Sequence, residues 1–407
     1  MISTDSAQAA ANPERRAVSA VGIVALCFAI NMADGVDVTI LSFIAPRLQS
    51  DWRMGSEIMG RLFSAGLAGI AIGGMFIAPM ADRVGRRRII LAALALMSAG
   101  MVASSFAVGP VQLFGLRIVV GMGIGTALAV MAALAAESAP PNRRDLAVGL
   151  VQAGYPFAAV FTGLAVAQLL PLYGWRILLL GAGLLTVALF PAAWLGLRSE
   201  PPPVASDRKA GRFVALFDPS CRLRTIALWS AVFFGLMVLY FIVSWITKLS
   251  IQAGLSETNG IYAGALYNLG AFVGTVTMSL LALRAPLSRV VPVMLVGAAA
   301  AMLMFGSFHF SVALTLALAF AIGVLLQGGY NGVWPLAAAA YPAEIRATGV
   351  GWAIGLGRSG AIIGPLLGGS LMAARVPLPI LFAVFCAPLL ACAASAFLVG
   401  RAPSRRL

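Results

Sequence analysis

The sequence predicts an all-α membrane protein whose 12 transmembrane helices form two six-helix bundles with pseudo-two-fold symmetry. Of its 407 residues, 61% are hydrophobic and only 10% are charged, whereas a soluble domain is about 25% charged. A spanning helix needs about 20 consecutive apolar residues. Twelve apolar runs meet this requirement, at 17–45, 58–81, 89–108, 111–136, 146–170, 175–197, 225–247, 258–282, 290–308, 312–338, 347–373 and 378–399.

The longest polar break divides these runs six and six. Its prolines, serines and charges are typical of a linker. We therefore predict an N-terminal bundle over 1–197, a cytoplasmic linker over 198–224 and a C-terminal bundle over 225–407. The halves also align weakly on each other at an offset of about 201 residues, which places Arg83 opposite Arg284. Two such repeats, with a site between them at the membrane midplane, indicate a secondary transporter.

The net charge of +14 follows the predicted topology and does not indicate a nucleic-acid partner. With the N-terminus in the cytoplasm, twenty Lys and Arg residues fall in cytoplasmic segments and six on the opposite side. The positive-inside rule then places both termini in the cytoplasm. We expect a multi-pass protein of a bacterial-type inner membrane. The four cysteines have no metal or disulfide spacing, so no metal site is expected, and His309 is predicted to be a bystander.

Four charged residues lie in span interiors, away from the span ends: Asp34, Asp37, Arg117 and Arg358. Each costs about 2.5–3.5 kcal/mol near the bilayer centre, so each needs a reason. Asp34 and Asp37 share one helix face and are expected to titrate as a pair that carries protons. The alternative is that one aspartate forms a structural pair with Arg117, which lies at a similar depth, about 10 Å below the outer surface.

The two arginines are candidates for binding a substrate carboxylate through bidentate hydrogen bonds; a structural pair or a backbone carbonyl is the alternative partner. Polar and aromatic residues in the spans could line the same cavity, or could serve only packing and the interfacial belts. We predict that all of them except Gln152, Trp245 and Tyr267 contact the substrate. The full set is Asn31, Gln152, Tyr155, Tyr240, Trp245, Tyr267, Asn268, Gln327, Tyr330, Asn331 and Trp334.

Several motifs resemble those of a known transporter family. ADRVGRRR (81–88) resembles the signature loop of the major facilitator superfamily, and RIVVGMGIG (117–125) resembles its fourth-helix motif. DGVD (34–37), LFDPSCRLRTIALW (216–229) and YPAEIRATGVGWAIGLGRSGAIIGPLLGG (341–369) are similar to the aromatic acid:proton symporter family. The similarity extends from the first span to the last.

This resemblance implies the major facilitator fold and proton-coupled uptake of an aromatic acid such as benzoate, hydroxybenzoate or protocatechuate. It implies the proton as coupling ion and no other cofactor. We also expect the chain to be monomeric. By the family pattern, Asp34 and Asp37 are the acidic pair required for transport. Conformational roles are implied for Asp82, Arg83, Arg86, Glu137, Arg144 and Arg346.

The sequence departs from the family pattern at two places. Ala78 replaces the usual glycine of the signature loop, and Leu283 stands where a repeated aspartate would lie in the second half. We therefore expect the first half to control gating.

Three functions compete on this evidence. Import of an aromatic carboxylate with protons is the leading interpretation. A transporter of a non-aromatic organic acid, or a proton-linked drug antiporter, is the second; the glycine–proline run in the eleventh span rather than the fifth favours symport. A membrane enzyme whose aspartates bind Mg²⁺ is disfavoured, because hard cations need several oxygen ligands and no other span interior contains an acid.

Overall fold

The computed structural model describes residues 13–140, 144–197, 213–219, 221–308 and 310–401. His309 and most of the predicted linker lie outside the described residues. The N-terminal half contains α1 (Pro13–Asp51), α2 (Ser56–Ile72), α3 (Arg86–Ser105), α4 (Pro110–Ser138) and a continuous helical stretch, Arg144–Gly196. The C-terminal half contains α7 (Arg222–Gln252), α8 (Glu257–Ala282), α9 (Leu287–Ser307), α10 (Val312–Asn331), α11 (Ala343–Ala373) and α12 (Leu378–Arg401).

The stretch Arg144–Gly196 supplies two of the predicted crossings. Eleven helices of the described chain are long and apolar enough to cross a membrane, and one of them, Leu146–Gly196, has 51 residues. One crossing needs only about 20 residues. Gly174 interrupts the helix with a φ of 72°, which glycine adopts at little cost, and so separates α5 (144–173) from α6 (175–196). The described helices therefore make twelve crossings, as the sequence predicts.

Two helices are extended by irregular turns. After α2 the chain forms a π-helical turn, Gly73–Ile77, a 3₁₀ turn, Ala78–Met80, and a short helix, Ala81–Val84. After Gly332, α10 continues as a second short helix, Val333–Ala340.

The second half begins slightly earlier than expected from hydropathy. A 3₁₀ helix, Phe213–Phe217, precedes α7. The N–H of Arg222 donates to the carbonyl of Asp218 at 2.8 Å, so α7 begins within the segment predicted to be linker.

The repeat predicted from the sequence reappears in the packing of the two halves. Gly69 lets α2 approach α4 closely, since a Cβ there would lie 2.3 Å from the carbonyl oxygen of Ile118. Gly270, which is 201 positions later, does the same for α8 and α10, where a Cβ would lie 2.1 Å from the carbonyl oxygen of Phe320. Small residues are the usual means of close helix packing in lipid, and here they give the halves matching helix pairs.

Twelve crossings place Pro13 and Arg401, the first and last described residues, at one end of the bundle, which we call the terminal end. The opposite end, where α1 ends at Asp51 and α2 begins at Ser56, is the distal end. The halves are joined in the distal part of the bundle, where α1 contacts α7, α2 contacts α11 and α5 contacts α8.

Serine and glutamine side chains form hydrogen bonds between the halves in this distal part. The Ser42 hydroxyl lies 2.9 Å from the carbonyl oxygens of Val243 and Ser244. The Ser64 hydroxyl donates to the Ile362 carbonyl at 2.7 Å, and the Gln168 amide donates to the Tyr262 hydroxyl at 2.9 Å.

Candidate functional site

The two aspartates of DGVD lie deep in the protein, where α1 crosses α5. Asp34 is 3% exposed and Asp37 is fully buried. Gly35 lies between them at the closest approach of the two helices, since a Cβ there would be 2.5 Å from the carbonyl oxygen of Tyr155. Gly154 makes the reciprocal contact from α5, with the Phe28 carbonyl 2.8 Å from its Cβ position. The glycine in the motif therefore brings α5 against the acidic face of α1.

We expect Gly35→Ala to weaken this contact and to impair transport. The added methyl group forces α1 and α5 apart, and overpacking of this kind typically costs about 1–3 kcal/mol. The apparent melting temperature of the purified variant should fall, and its initial uptake rate should drop by about tenfold, the factor equivalent to 1.4 kcal/mol.

Gly22→Ala is the matched control for this variant, because Gly22 lies on the same helix with nothing within 4 Å of its Cβ position. Wild-type melting and uptake in Gly35→Ala would contradict the role assigned to this contact.

The Asp34 carboxylate faces a cation from the other half. Arg358, a half-buried residue of α11, lies within range of electrostatic interaction with Asp34 and with the Tyr240 hydroxyl of α7. The two charges do not form a direct ion pair among the described residues, and Oδ1 of Asp34 has no hydrogen-bond partner there. The halves therefore contribute opposite charges to one site and leave part of the carboxylate unpaired.

Four tyrosines cluster around this pair, contributed by α5, α7, α8 and α10. Tyr155 lies near Asp34, Tyr240 and Tyr267, and Tyr330 lies near Tyr240 and Arg358. The hydroxyls of Tyr267 and Tyr330 are buried and have no hydrogen-bond partner in the described part of the chain.

Buried polar groups are nearly always hydrogen-bonded, so these two hydroxyls are suited to a water molecule or a ligand. Tyr267 is among the residues predicted to line the cavity but not among the predicted substrate contacts. The structure places it in the cluster. Trp334 stands edge-on to Tyr330, with 5.8 Å between ring centroids.

Asp37 and Arg117 meet beside this cluster, at the matching depth that their positions along α1 and α4 predict. Nη1 of Arg117 donates to the backbone carbonyl of Asp37 at 3.3 Å, and Nη2 lies 3.1 Å from the sulfur of Met101. Neither carboxylate oxygen of Asp37 has a hydrogen-bond partner among the described residues. Asp37, Arg117 and Tyr240 line a small cavity of about 40 Å³.

Four of the predicted substrate contacts make helix–helix or intrahelical hydrogen bonds in this structure. Asn31 donates to the Val151 carbonyl of α5 at 2.5 Å, and Asn268 donates to Gly264 in its own helix at 2.9 Å. Gln327 donates to Asn331 at 3.2 Å, and Asn331 donates to the Thr275 hydroxyl of α8 at 2.7 Å. None of these bonds connects to the Asp34–Arg358 pair.

The residues predicted to control conformation lie at the terminal end. Arg86, at the start of α3, forms a two-point ion pair with Glu137 of α4, in which Nη2 is 2.6 Å from Oε1. Arg346 donates to the Tyr341 carbonyl at 3.3 Å. Asp82, Arg83 and Arg144 are exposed.

Several polar residues that join the halves at the distal end were not among the predicted site residues. Ser42, Gln49, Ser56, Ser64 and Lys248 all contact the opposite half. The sequence feature that could have indicated this polar region is Lys248, a lysine at the edge of an apolar span.

Comparisons with known proteins identify the family. Residues 26–353 match the model of the Major Facilitator Superfamily. The chain is 32% identical to a gallate transporter of Pseudomonas putida, over 94% of this chain and 92% of that protein. It is 31% identical to the 4-hydroxybenzoate transporter PcaK of Pseudomonas aeruginosa, over 86% of each chain.

Its fold is also similar to that of a solved structure, the inward open conformation of the xylose transporter XylE from E. coli. The TM-score is 0.77 at 14% identity, over 95% of this chain and 97% of the other. The predicted transporter fold is thereby confirmed and the enzyme alternative is excluded. The chain belongs to the Major Facilitator Superfamily and, within it, to the family that contains these aromatic-acid transporters.

Proposed function

We propose that the protein is a proton-coupled symporter that imports an aromatic carboxylate across the bacterial inner membrane. It works as a monomer with both termini in the cytoplasm, so the terminal end faces inward and the distal end faces outward. The excess of Lys and Arg in the loops of the terminal end supports this orientation. The relatives' names, gallate and 4-hydroxybenzoate transporter, support the substrate class.

The observation that carries this proposal is the position of Asp34 opposite Arg358 at the junction of the halves, among four tyrosines. In this scheme the substrate carboxylate competes with Asp34 for the Arg358 guanidinium. When a substrate carboxylate binds the guanidinium, Asp34 loses its cation in a site of low dielectric, where an unpaired buried charge is costly. Asp34 then takes up a proton. Each substrate anion is accompanied by a proton for this reason.

The tyrosine rings suit the other part of the substrate. Aromatic side chains favour offset or edge-to-face contact with another ring, so the cluster provides the surface for an aromatic acid, with Trp334 behind Tyr330. The unpartnered hydroxyls of Tyr267 and Tyr330 are available to polar ring substituents.

Asp37 serves as a second proton carrier in this scheme, because its carboxylate oxygens accept no hydrogen bond in the described structure. Arg117 is also predicted from the sequence to bind the substrate carboxylate. It is better suited to positioning α1, because it donates a hydrogen bond to the backbone carbonyl of Asp37. In this scheme, closure of the distal end precedes release of the substrate to the cytoplasm.

The test is proton movement in liposomes that contain the purified protein. Adding 4-hydroxybenzoate or gallate outside should make the external medium more alkaline and acidify the lumen, because anion and proton enter together. An aliphatic carboxylate of similar size and protein-free liposomes are the controls. Transport without proton movement, or external acidification as expected for an antiporter, would contradict the proposal.

A further inference from the structure

A second binding region lies at the distal closure, more than one helical turn from the central site. Lys248, near the end of α7, donates to the Gln49 side-chain oxygen of α1 and, at 2.9 Å, to the Ser56 hydroxyl at the start of α2. Both partners belong to the other half and both are neutral. Among the described residues, Lys248 forms no ion pair with a carboxylate. Its positive charge is therefore uncompensated at the seam between the halves.

An unpartnered hydrogen-bond donor on Gln49 independently indicates a ligand site. Its side chain is 7% exposed, and Nε2 has no hydrogen-bond partner in the described part of the chain. A buried amide N–H beside an uncompensated ammonium group gives two donors of the kind that a carboxylate accepts.

An aromatic surface adjoins these donors. The Lys248 ammonium lies 5.7 Å from the centre of the Trp245 ring, within the range of a cation–π contact. The Trp245 indole N–H donates to the Pro365 carbonyl at 3.0 Å, which fixes the ring on its own half. Its face is covered by Phe63 of the opposite half, edge-on at 5.1 Å. When the halves separate at the distal end, both the ring and the ammonium group lose their partners.

We propose that Lys248, Gln49 and Trp245 form an entry site that binds an aromatic carboxylate before it reaches Arg358. The ammonium group and the amide hold the carboxylate, and the Trp245 ring contacts the substrate ring. As the distal end closes, the Gln49 side-chain oxygen and the Ser56 hydroxyl replace the carboxylate on the ammonium group, and Phe63 replaces the substrate ring against Trp245, so the site empties inward. This inference rests on the proposed function for the identity of the ligand.

Chemical labelling reports on the site directly. The chain has two lysines, and the other, Lys209, lies in the linker predicted to be cytoplasmic. A membrane-impermeant amine-reactive ester applied outside right-side-out vesicles should therefore acylate Lys248, as read by mass spectrometry. The experiment uses Arg358→Gln, which disables the central site, so that protection cannot arise from substrate bound there. We expect 4-hydroxybenzoate to slow labelling of Lys248, and 4-hydroxybenzamide, its uncharged counterpart, to leave the rate unchanged.

Transport by the otherwise native protein gives the second readout. Lys248→Gln keeps hydrogen-bonding capacity toward Gln49 and Ser56 but removes the charge, and should lower the kcat/KM of uptake by about tenfold, a typical effect of losing one charged hydrogen bond. Lys248→Arg should keep most of it. Arg61→Gln removes a positive charge at the same end, from a residue that pairs with Glu57 in its own helix, and should match wild type.

Labelling that is absent, unaffected by the acid or equally slowed by the amide would overturn the proposal. Wild-type kcat/KM in Lys248→Gln, with loss only in Lys248→Met, would reduce Lys248 to a latch between the halves and would also overturn it. If the wild type transports no aromatic acid but the acid still protects Lys248, the proposed function fails and the entry site stands.

Discussion

Replacing Arg358 by glutamine should abolish transport of aromatic carboxylates. Arg358 is the cation that α11 places opposite Asp34 and beside the Tyr240 hydroxyl. A guanidinium forms two parallel hydrogen bonds with a carboxylate, and a bond to a charged group contributes about 1.5–3 kcal/mol. Losing both should lower kcat/KM by at least about 100-fold, since 1.4 kcal/mol is a factor of ten. Uptake and equilibrium exchange of radiolabelled 4-hydroxybenzoate should fall together, because binding itself is lost.

Two further variants make this result specific. Arg358→Lys keeps the charge but not the planar two-point geometry, so it should recover only part of the activity. Arg375→Gln removes an exposed charge just beyond the same helix and should behave as wild type. Exchange at the wild-type rate in Arg358→Gln would show that the substrate carboxylate binds elsewhere, with Arg117 as the remaining cation inside a span.

Asparagine at position 34 should separate substrate movement from proton movement. The amide resembles the protonated carboxyl, so Arg358 no longer has an anionic competitor for the substrate. We expect Asp34→Asn to exchange labelled for unlabelled 4-hydroxybenzoate within a few-fold of the wild-type rate, well under the 1.4 kcal/mol that a tenfold change represents. The variant should not concentrate the substrate when a pH gradient is imposed. Counterflow and gradient-driven uptake measured on the same liposomes make the comparison.

Glu57→Gln is the control for this variant, since Glu57 is an exposed acid that pairs with Arg61 at the distal end. Gradient-driven accumulation by Asp34→Asn would rule out Asp34 as the coupling group and leave Asp37 in that role. Loss of exchange as well as accumulation would instead mean that Asp34 is needed for binding. The contrast with Arg358→Gln, in which exchange is also lost, therefore separates coupling from recognition.

Much of the architecture could be predicted from the sequence, because lipid imposes simple rules. A backbone in hydrocarbon must satisfy its own hydrogen bonds, so each long apolar run becomes a helix, and the predicted runs correspond to the observed crossings. The break between α5 and α6 could be predicted from the lengths of the apolar runs on either side of Gly174. The offset of about 201 residues between the halves was readable for the same reason: Gly69 and Gly270 repeat because equivalent helix pairs need the same close approach.

The membership of the site was only partly predictable. Charges inside spans are rare enough that Asp34, Asp37, Arg117 and Arg358 identify themselves from composition and position. Asn and Gln residues in the spans cannot be assigned to the site in this way, because the same residue types also form hydrogen bonds between neighbouring helices. Asn331, predicted to contact substrate, donates to Thr275 between α8 and α10.

The sequence by itself determined that this protein is a twelve-helix transporter with two acids and two arginines buried in its spans, since hydropathy and the cost of buried charge act locally along the chain. Only the tertiary structure decided which charge faces which. Asp34 and Arg358 are more than 300 positions apart in the chain, and they share a site because α1 packs against α7, and α2 against α11, where the halves join. The pairing of Lys248 with Gln49 and Ser56 is likewise a property of that junction. Contacts between the halves depend on how two separately packed bundles dock, and no local pattern in either bundle encodes that docking.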